Sequence, residues 1–167
     1  MQSKTAVWLL GIGFCLFAPA ALFAQELRIV DSARTTVTAP EAYRAYYGKL
    51  SGEGHVYTLE ADDEFRLSVV LLAPNVPGAQ TDFSATVFDM QSPNEPVIAL
   101  AGTESEWRWF FDTSGRDEYL AGPVLRGGLP AGTYEVRITN PGNQGTYVLI
   151  LGEDSWSLDG LISRYTT

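Results

Sequence analysis

The feature that most constrains the fold of this chain is an alternation of apolar and polar residues with period two. In the run TYEVRIT, Tyr134, Val136 and Ile138 fall on one side, while Glu135 and Arg137 fall on the other. The same pattern recurs in HVYTLEA, EFRLSVVLL and FSATVFDM. Because successive side chains of a β-strand point to opposite faces, each run predicts a strand with at least one buried face. The sequence therefore predicts an all-β domain.

The predicted strands are short, and stretches rich in proline, glycine and asparagine separate them. Residues 73–78, 91–96 and 140–143 are expected to be loops or turns, because proline cannot donate a hydrogen bond to a strand ladder. Short strands at a spacing of about 8–12 residues, with turns between them, are typical of an antiparallel sandwich. We therefore expect an antiparallel, jelly-roll-like β-sandwich.

The tripeptide Gly-Thr-Tyr opens two neighbouring apolar runs, at Gly132 and again at Gly145. In both copies the glycine leaves a turn and the tyrosine is expected to be the first inward side chain of a strand. Between the runs, Pro141 suits the first central position of a turn, and Gly142 is expected to supply the positive φ of the second. The two runs are predicted to pair as a hairpin, so the repeat is interpreted as a folding device.

The chain divides into four predicted segments. Residues 1–24 are a hydrophobic leader, residues 25–53 an N-terminal extension with the first strand, residues 54–152 the β-sandwich, and residues 153–167 a short C-terminal helical tail. Within the extension, residues 39–47 also carry a helical pattern.

The leader has one positive charge, Lys4, followed by an uncharged stretch over residues 6–24. This pattern is typical of a signal peptide, with cleavage after Ala20 or Ala24. The same stretch is long enough to stay in the membrane as an uncleaved anchor. In either case the remainder is expected to be exported, to the periplasm or the extracytoplasmic face of the membrane.

The composition excludes several classes of function. All twenty carboxylates lie beyond the leader, and the net charge of −9 disfavours nucleic acid as a partner. The one cysteine, Cys15, lies in the leader, so no disulfide is expected. His55 is the one histidine, which excludes metal sites built on several His or Cys ligands, and we expect it at the surface. With no nucleotide-binding loop and no Gly-x-Ser-x-Gly turn, we expect neither a cofactor nor an enzyme.

The runs YTLEA, FRLSV, LPAGTYEV and GTYVL, in that order between residues 54 and 152, resemble the bacterial pre-peptidase C-terminal type of β-domain. That resemblance implies a non-catalytic, jelly-roll-like module of secreted enzymes or envelope proteins. It covers turn and core residues, so it implies a sandwich without naming a ligand. Residues 73–82 and 106–112 have no counterpart in the family pattern.

The aromatic stretch EWRWFFD is the most unusual part of the sequence. In a strand, Trp107, Trp109 and Phe111 share one face, and Arg108 and Phe110 share the other. One face is expected to fill the core, whereas a second apolar face requires a partner, a membrane surface or a loop to cover it. The candidate partner- or ligand-binding residues are Trp107, Trp109, Phe110, Phe111, Tyr119 and Trp156.

Two acidic turns are weak candidates for calcium. Asp62 and Asp63 lie in one turn, and Asp112 and Asp117 flank another. Clusters of carboxylate oxygens can hold Ca²⁺, but neither turn has the spacing of an EF-hand. Solvated acidic turns are the simpler interpretation, and no metal is predicted.

These observations favour a non-catalytic, exported sandwich that acts as an accessory or assembly subunit of a larger cell-envelope or membrane protein complex. An alternative is a carbohydrate-binding module that stacks sugar rings on Trp107, Trp109 and Tyr119, with a polysaccharide as ligand. A secreted hydrolase is a further alternative. Anchorage through residues 6–24 would add the membrane itself as a partner.

Overall fold

The computed structural model of the chain describes residues 27–30, 32–112 and 115–152. These residues form twelve strands and one short 3-10 turn, Gly102–Glu104. The strands in chain order are β1 (Leu27–Val30), β2 (Arg34–Thr38), β3 (Arg44–Ser51), β4 (His55–Ala61), β5 (Phe65–Pro74), β6 (Ser84–Asp89), β7 (Pro96–Leu100), β8 (Arg108–Asp112), β9 (Asp117–Ala121), β10 (Leu125–Leu129), β11 (Gly132–Thr139) and β12 (Gln144–Leu151). The predicted all-β class is confirmed for this part of the chain.

The strands form two sheets. The larger sheet has the order β1-β3-β12-β5-β9-β8, with β10 also paired to β5, and the smaller sheet has the order β2-β4-β11-β6-β7. The predicted antiparallel arrangement is wrong at two places, because β1 pairs with β3 in parallel and β2 pairs with β4 in parallel. The chain passes from one sheet to the other after β1, after β2 and after β3, so that each parallel pair is joined through a strand of the opposite sheet. Alternation does not reveal this, since it is the same for both strand directions.

The N-terminal part of the domain departs from the sequence prediction. Instead of a helix, residues 39–47 contain a turn, in which Ala39 has a φ of 52° and its carbonyl accepts from the N–H of Ala42, followed by the start of β3. The helical pattern was misleading because this strand is apolar on both faces: Ala45 and Tyr46 are both buried. Residues 25–53, expected to hold the first strand, contribute β1, β2 and β3 to the two sheets.

The core lies between the two sheets and consists of the side chains that the alternation directs inward. Burial of each large apolar side chain contributes about 1.5–3 kcal/mol. The largest fully buried side chains are Tyr46, Leu50, Tyr57, Leu59, Leu67, Leu71, Phe83, Tyr134, Ile138, Tyr147, Leu149 and Leu151.

The two Gly-Thr-Tyr runs do not form the predicted hairpin. β11 pairs with β4 and β6 in the smaller sheet, whereas β12 pairs with β3 and β5 in the larger one. The positive φ values of the connection belong to Asn143 (45°) and Gly145 (106°) rather than to Gly142. Asn140 fixes this crossover, because its side chain accepts from the N–H of Gln144 (3.0 Å) and donates to the carbonyl of the same residue (2.8 Å). The expected inward tyrosines are confirmed, since both are buried.

The larger sheet is apolar on its outer face as well, on the side away from the smaller sheet. We call this surface the outer apolar face. Its buried members are Ala45, Val70, Leu72, Tyr119, Ala121, Val148 and Ile150, against which Tyr43, Tyr47, Phe110 and Val124 pack.

The predicted signal or anchor helix and the predicted C-terminal tail lie outside the described residues. Among the residues that the structure does describe, no helix is long and apolar enough to cross a membrane.

Candidate functional site

The aromatic stretch forms β8, which with β9 makes an antiparallel hairpin at one end of the strand order of the larger sheet. In the register of this hairpin, Phe110 lies opposite Tyr119, and Phe111 lies opposite Glu118. Alternation therefore divides the aromatic side chains of β8 between two faces, with Phe110 on one and Trp109 and Phe111 on the other.

Trp109 and Phe111 form a stacked pair, with their ring centroids 6.3 Å apart and an angle of 13° between the ring planes. Trp109 retains 45% of its exposure to solvent. Its indole Nε1 donates to Glu118 Oε2 at 3.4 Å, and Asn75 Nδ2 donates to the same oxygen at 3.0 Å. The hairpin thus presents an aromatic surface beside a carboxylate and a carboxamide, an arrangement suited to contacts that are partly apolar and partly polar.

Trp107 has a different environment, although it lies two residues before Trp109 and alternation alone would place both on the same face. It precedes β8, is half-buried, and packs against the core between the sheets. Its indole Nε1 donates to the carbonyl of Gly102 at 3.1 Å, which ties the residue to the 3-10 turn. Trp107 is therefore held by the core, while Trp109 and Phe111 are presented at the sheet edge.

Phe110 and Tyr119 lie on the other face of the hairpin and join the outer apolar face. Burial raises the pKa of the Tyr119 phenol above its ordinary value, and a hydrogen bond with Tyr47 acts in the same direction. Trp156, the sixth candidate, lies outside the described residues.

The acidic candidates for calcium occupy two turns. Asp112 and Asp117 are opposite each other at the end of the hairpin, and Asp112 Oδ2 accepts from the backbone N–H of Gly115 at 3.2 Å. Asp62 and Asp63 are exposed between β4 and β5. Across the described ranges, no group of three or more His, Cys, Asp or Glu side chains is placed to hold a metal ion.

A buried polar cluster that the sequence did not predict lies between the sheets. The Tyr147 hydroxyl is 2.7 Å from His55 Nδ1 and 2.8 Å from the Tyr57 hydroxyl. The expectation that His55 lies at the surface is wrong, because its residual exposure is 6%. The sequence HVYTLEA could have indicated this burial. His55 lies two and four residues before Tyr57 and Leu59, which are core residues, so all three share one face of the strand.

Burial determines the protonation of this cluster. Burial raises the pKa of Tyr57 to about 12, although the hydrogen bond with Tyr147 opposes this shift, and it raises the pKa of Tyr147 still more. Burial also lowers the pKa of His55, against a smaller opposing effect of the Glu53 carboxylate. At neutral pH all three side chains are therefore uncharged, and the cluster is a chain of hydrogen bonds inside the sandwich.

Fold and site together define a two-sheet β-sandwich domain with an aromatic hairpin at the edge of its larger sheet. No family model and no curated protein matches the sequence. Among solved structures, the chain is similar to the pre-peptidase C-terminal domain of a collagenase from Bacillus anthracis, with 13% identity and a TM-score of 0.47 over 71% of this chain and 93% of that one. It is also similar to a β-glucosidase from Paenibacillus barengoltzii, with 13% identity and a TM-score of 0.28 over 75% of this chain and 11% of that one. The collagenase domain is of the type that the sequence motifs resemble.

Proposed function

We propose that this chain is a non-catalytic binding domain, an accessory or assembly subunit of a larger cell-envelope or membrane protein complex, and that its partner docks on the β8–β9 hairpin. The observation that carries the proposal is the stacked pair of the exposed Trp109 and the half-buried Phe111 at the end of the larger sheet. Tryptophan and other aromatic side chains dominate the energetics of protein interfaces, where they are buried by the partner.

The position of the hairpin adds a second reason. β8 ends the strand order of the larger sheet, and a strand in that position can accept an extended segment of a partner as a further strand. Main-chain hydrogen bonds then supply affinity, and the side chains of alternate residues supply specificity. On β8 those alternate residues are the two stacked aromatics.

The proposed location follows from the leader. An uncharged stretch over residues 6–24 directs the domain out of the cytoplasm, either released after cleavage or held at the membrane. The excess of carboxylates in the exported part favours a partner surface that carries basic residues.

A photo-crosslinking residue substituted for Trp109 tests this function in cells that produce the full chain. Its control is the same residue substituted for Val97 on β7, because the exposures of the two side chains match, at 45% and 46%. We expect a discrete adduct with an envelope protein from position 109, lost when Phe111→Ala is added, and none from position 97. Equal adducts from both positions, or none from either, would contradict docking at the hairpin.

The same hairpin supports carbohydrate binding as a second candidate. A sugar ring can stack on the indole of Trp109 while its hydroxyls bond to Glu118 and Asn75, which already share one hydrogen bond. Titration with soluble polysaccharides, followed by tryptophan fluorescence, tests this function. We expect a saturable change that Trp109→Ala removes and Val97→Ala leaves intact. An unchanged spectrum across a panel of neutral and acidic glycans would eliminate it.

A further inference from the structure

The outer apolar face extends across the central strands of the larger sheet in two rows set by the strand register. The first row runs through Tyr47, Val148, Leu72 and Ala121, and the second through Ala45, Ile150 and Val70. The outer face of the smaller sheet is different, because there Glu135 pairs with Arg34 at 3.3 Å and with Arg137 at 2.8 Å. One sheet thus has a polar outer surface and the other an apolar one.

The outer apolar face is removed from solvent at its centre. Val70, Val148 and Ile150 retain 1%, 2% and 5% of their exposure. The smaller sheet packs on the opposite side of these strands, and no described strand is stacked on this side. A sheet surface of this kind requires a covering element.

We infer that residues 153–167 of the chain itself lie across the outer apolar face. β12, the strand that precedes this segment, is central in the larger sheet and carries Val148 and Ile150 on that face. At its end, Gly152 turns the chain with a φ of 91°, and its N–H donates to the carbonyl of Ser68 at 3.2 Å. The segment therefore starts beside the surface that has to be covered.

The sequence of the segment fits this position. Leu158, Leu161, Ile162 and Tyr165 have the i, i+3, i+4, i+7 spacing of one apolar helix face, and polar residues occupy the other side. Eight helical residues are about 12 Å long. That length matches about two strand spacings, enough to cover β3, β12 and β5, where burial is deepest. Residues 153–157 can reach about 17 Å when extended, which allows the chain to fold back from Gly152.

The exposure of β1 argues against the hydrophobic leader as the covering element. Ile29 lies opposite Tyr47 and extends the first row, yet it retains 71% of its exposure. The leader precedes β1 in the sequence, so a leader that covered the β1 edge of the outer apolar face would bury this side chain. The covering is instead centred on β12, the strand from which residues 153–167 depart.

A thiol reporter on the outer apolar face tests the inference in the full chain. With Cys15→Ser as the background, Val148→Cys provides a single thiol on this face, and Val136→Cys on β11 provides one in the core between the sheets. The double substitution Leu161→Asp with Ile162→Asp disrupts the apolar side of the segment. We expect it to raise the labelling rate of the Val148→Cys reporter at least about tenfold, because burial of even one such side chain shifts an equilibrium by that factor.

The controls separate docking from other causes. Ser163→Asp, on the polar side of the segment, should leave the labelling rate unchanged, and the Val136→Cys reporter should stay protected in every variant.

Rapid labelling of Val148→Cys before any change to the segment would overturn the inference, and so would a rate that Leu161→Asp with Ile162→Asp does not alter. A rate that rises on dilution would indicate a second copy, and one that rises on removal of residues 1–24 would indicate the leader; either result contradicts the inference. Equal exposure of both reporters would show general unfolding and likewise contradict docking on one face.

Hydrogen exchange provides a measurement on the unsubstituted chain, in case the reporter variants fold poorly. Backbone N–H groups of residues 158–165 should exchange more slowly than in an unstructured peptide, and Leu161→Asp with Ile162→Asp should abolish that protection. Exchange at unstructured rates in the unsubstituted chain would overturn the inference.

Discussion

Replacement of Tyr147 by phenylalanine tests the buried hydrogen-bond chain. The change removes one oxygen atom and leaves His55 Nδ1 and the Tyr57 hydroxyl, at 2.7 and 2.8 Å, without this shared partner. A buried polar group that loses its partner costs about 1–3 kcal/mol. With two groups affected, we expect Tyr147→Phe to lower the free energy of unfolding by about 2–6 kcal/mol, a large part of the roughly 5–15 kcal/mol of a typical domain.

The matched control is Tyr134→Phe, because Tyr134 has the same position in the first Gly-Thr-Tyr run. Its side chain is also buried, but its hydroxyl makes one hydrogen bond, to the carbonyl of the exposed Pro130 at 3.0 Å, near the start of β11. We expect a loss of about 0.5–1.5 kcal/mol there. Urea unfolding of both variants at pH 7.5 gives the two free energies, and the m-value should stay unchanged. Equal losses for the two variants would refute the reasoning that the Tyr147 hydroxyl joins two buried partners.

The remaining predictions concern urea unfolding midpoints. Because burial lowers the pKa of His55, the unfolded state takes up a proton before the folded state does, so stability should fall as pH drops below about 6.5; a His55→Phe variant with the same acid loss would contradict this. A Cβ at Gly48 would lie 2.4 Å from the Tyr147 ring, so Gly48→Ala should cost about 1–3 kcal/mol, while Gly128→Ala, with open space around its Cβ, should not destabilise. Asn140→Ala removes both bonds to Gln144 and should cost about 1–3 kcal/mol; an unchanged midpoint would show that the crossover does not depend on this side chain.

Period-two alternation predicted the two-sheet fold because it specifies which side chains face inward, as it did for Val136 and Ile138. It could not predict which strands pair, since an inward-facing residue fits either sheet. For that reason the sequence predicts a hairpin around residues 140–143, whereas the chain crosses between the sheets there. The helix predicted for residues 39–47 is wrong because the strand that begins there has buried side chains on both faces.

The sequence predicts which aromatic residues of the candidate site share a face, but not the polar contacts around them. The alternation of side chains along a strand predicts that Trp109 and Phe111 share one face of β8, and this is confirmed, because the two rings stack. The hydrogen bond between Asn75 and Glu118 was beyond sequence reasoning, because 43 residues separate the two and nothing in either neighbourhood indicates the other. The sequence predicts a surface position for His55 because a lone histidine at the start of a strand is more often exposed, and its hydrogen bond to Tyr147 of the opposite sheet is beyond sequence reasoning.

The repeated passage of the chain between layers has a consequence for how the domain assembles. Among the described strands, β6 with β7 and β8 with β9 are the pairs that follow each other directly in sequence. Every other ladder joins segments that are distant along the chain, so most of the loop-closure entropy has to be lost before those contacts form. The two strands of the aromatic hairpin, by contrast, are only four residues apart in the sequence. The hairpin can therefore acquire its shape early, while the two layers around the tyrosine core condense slowly and together.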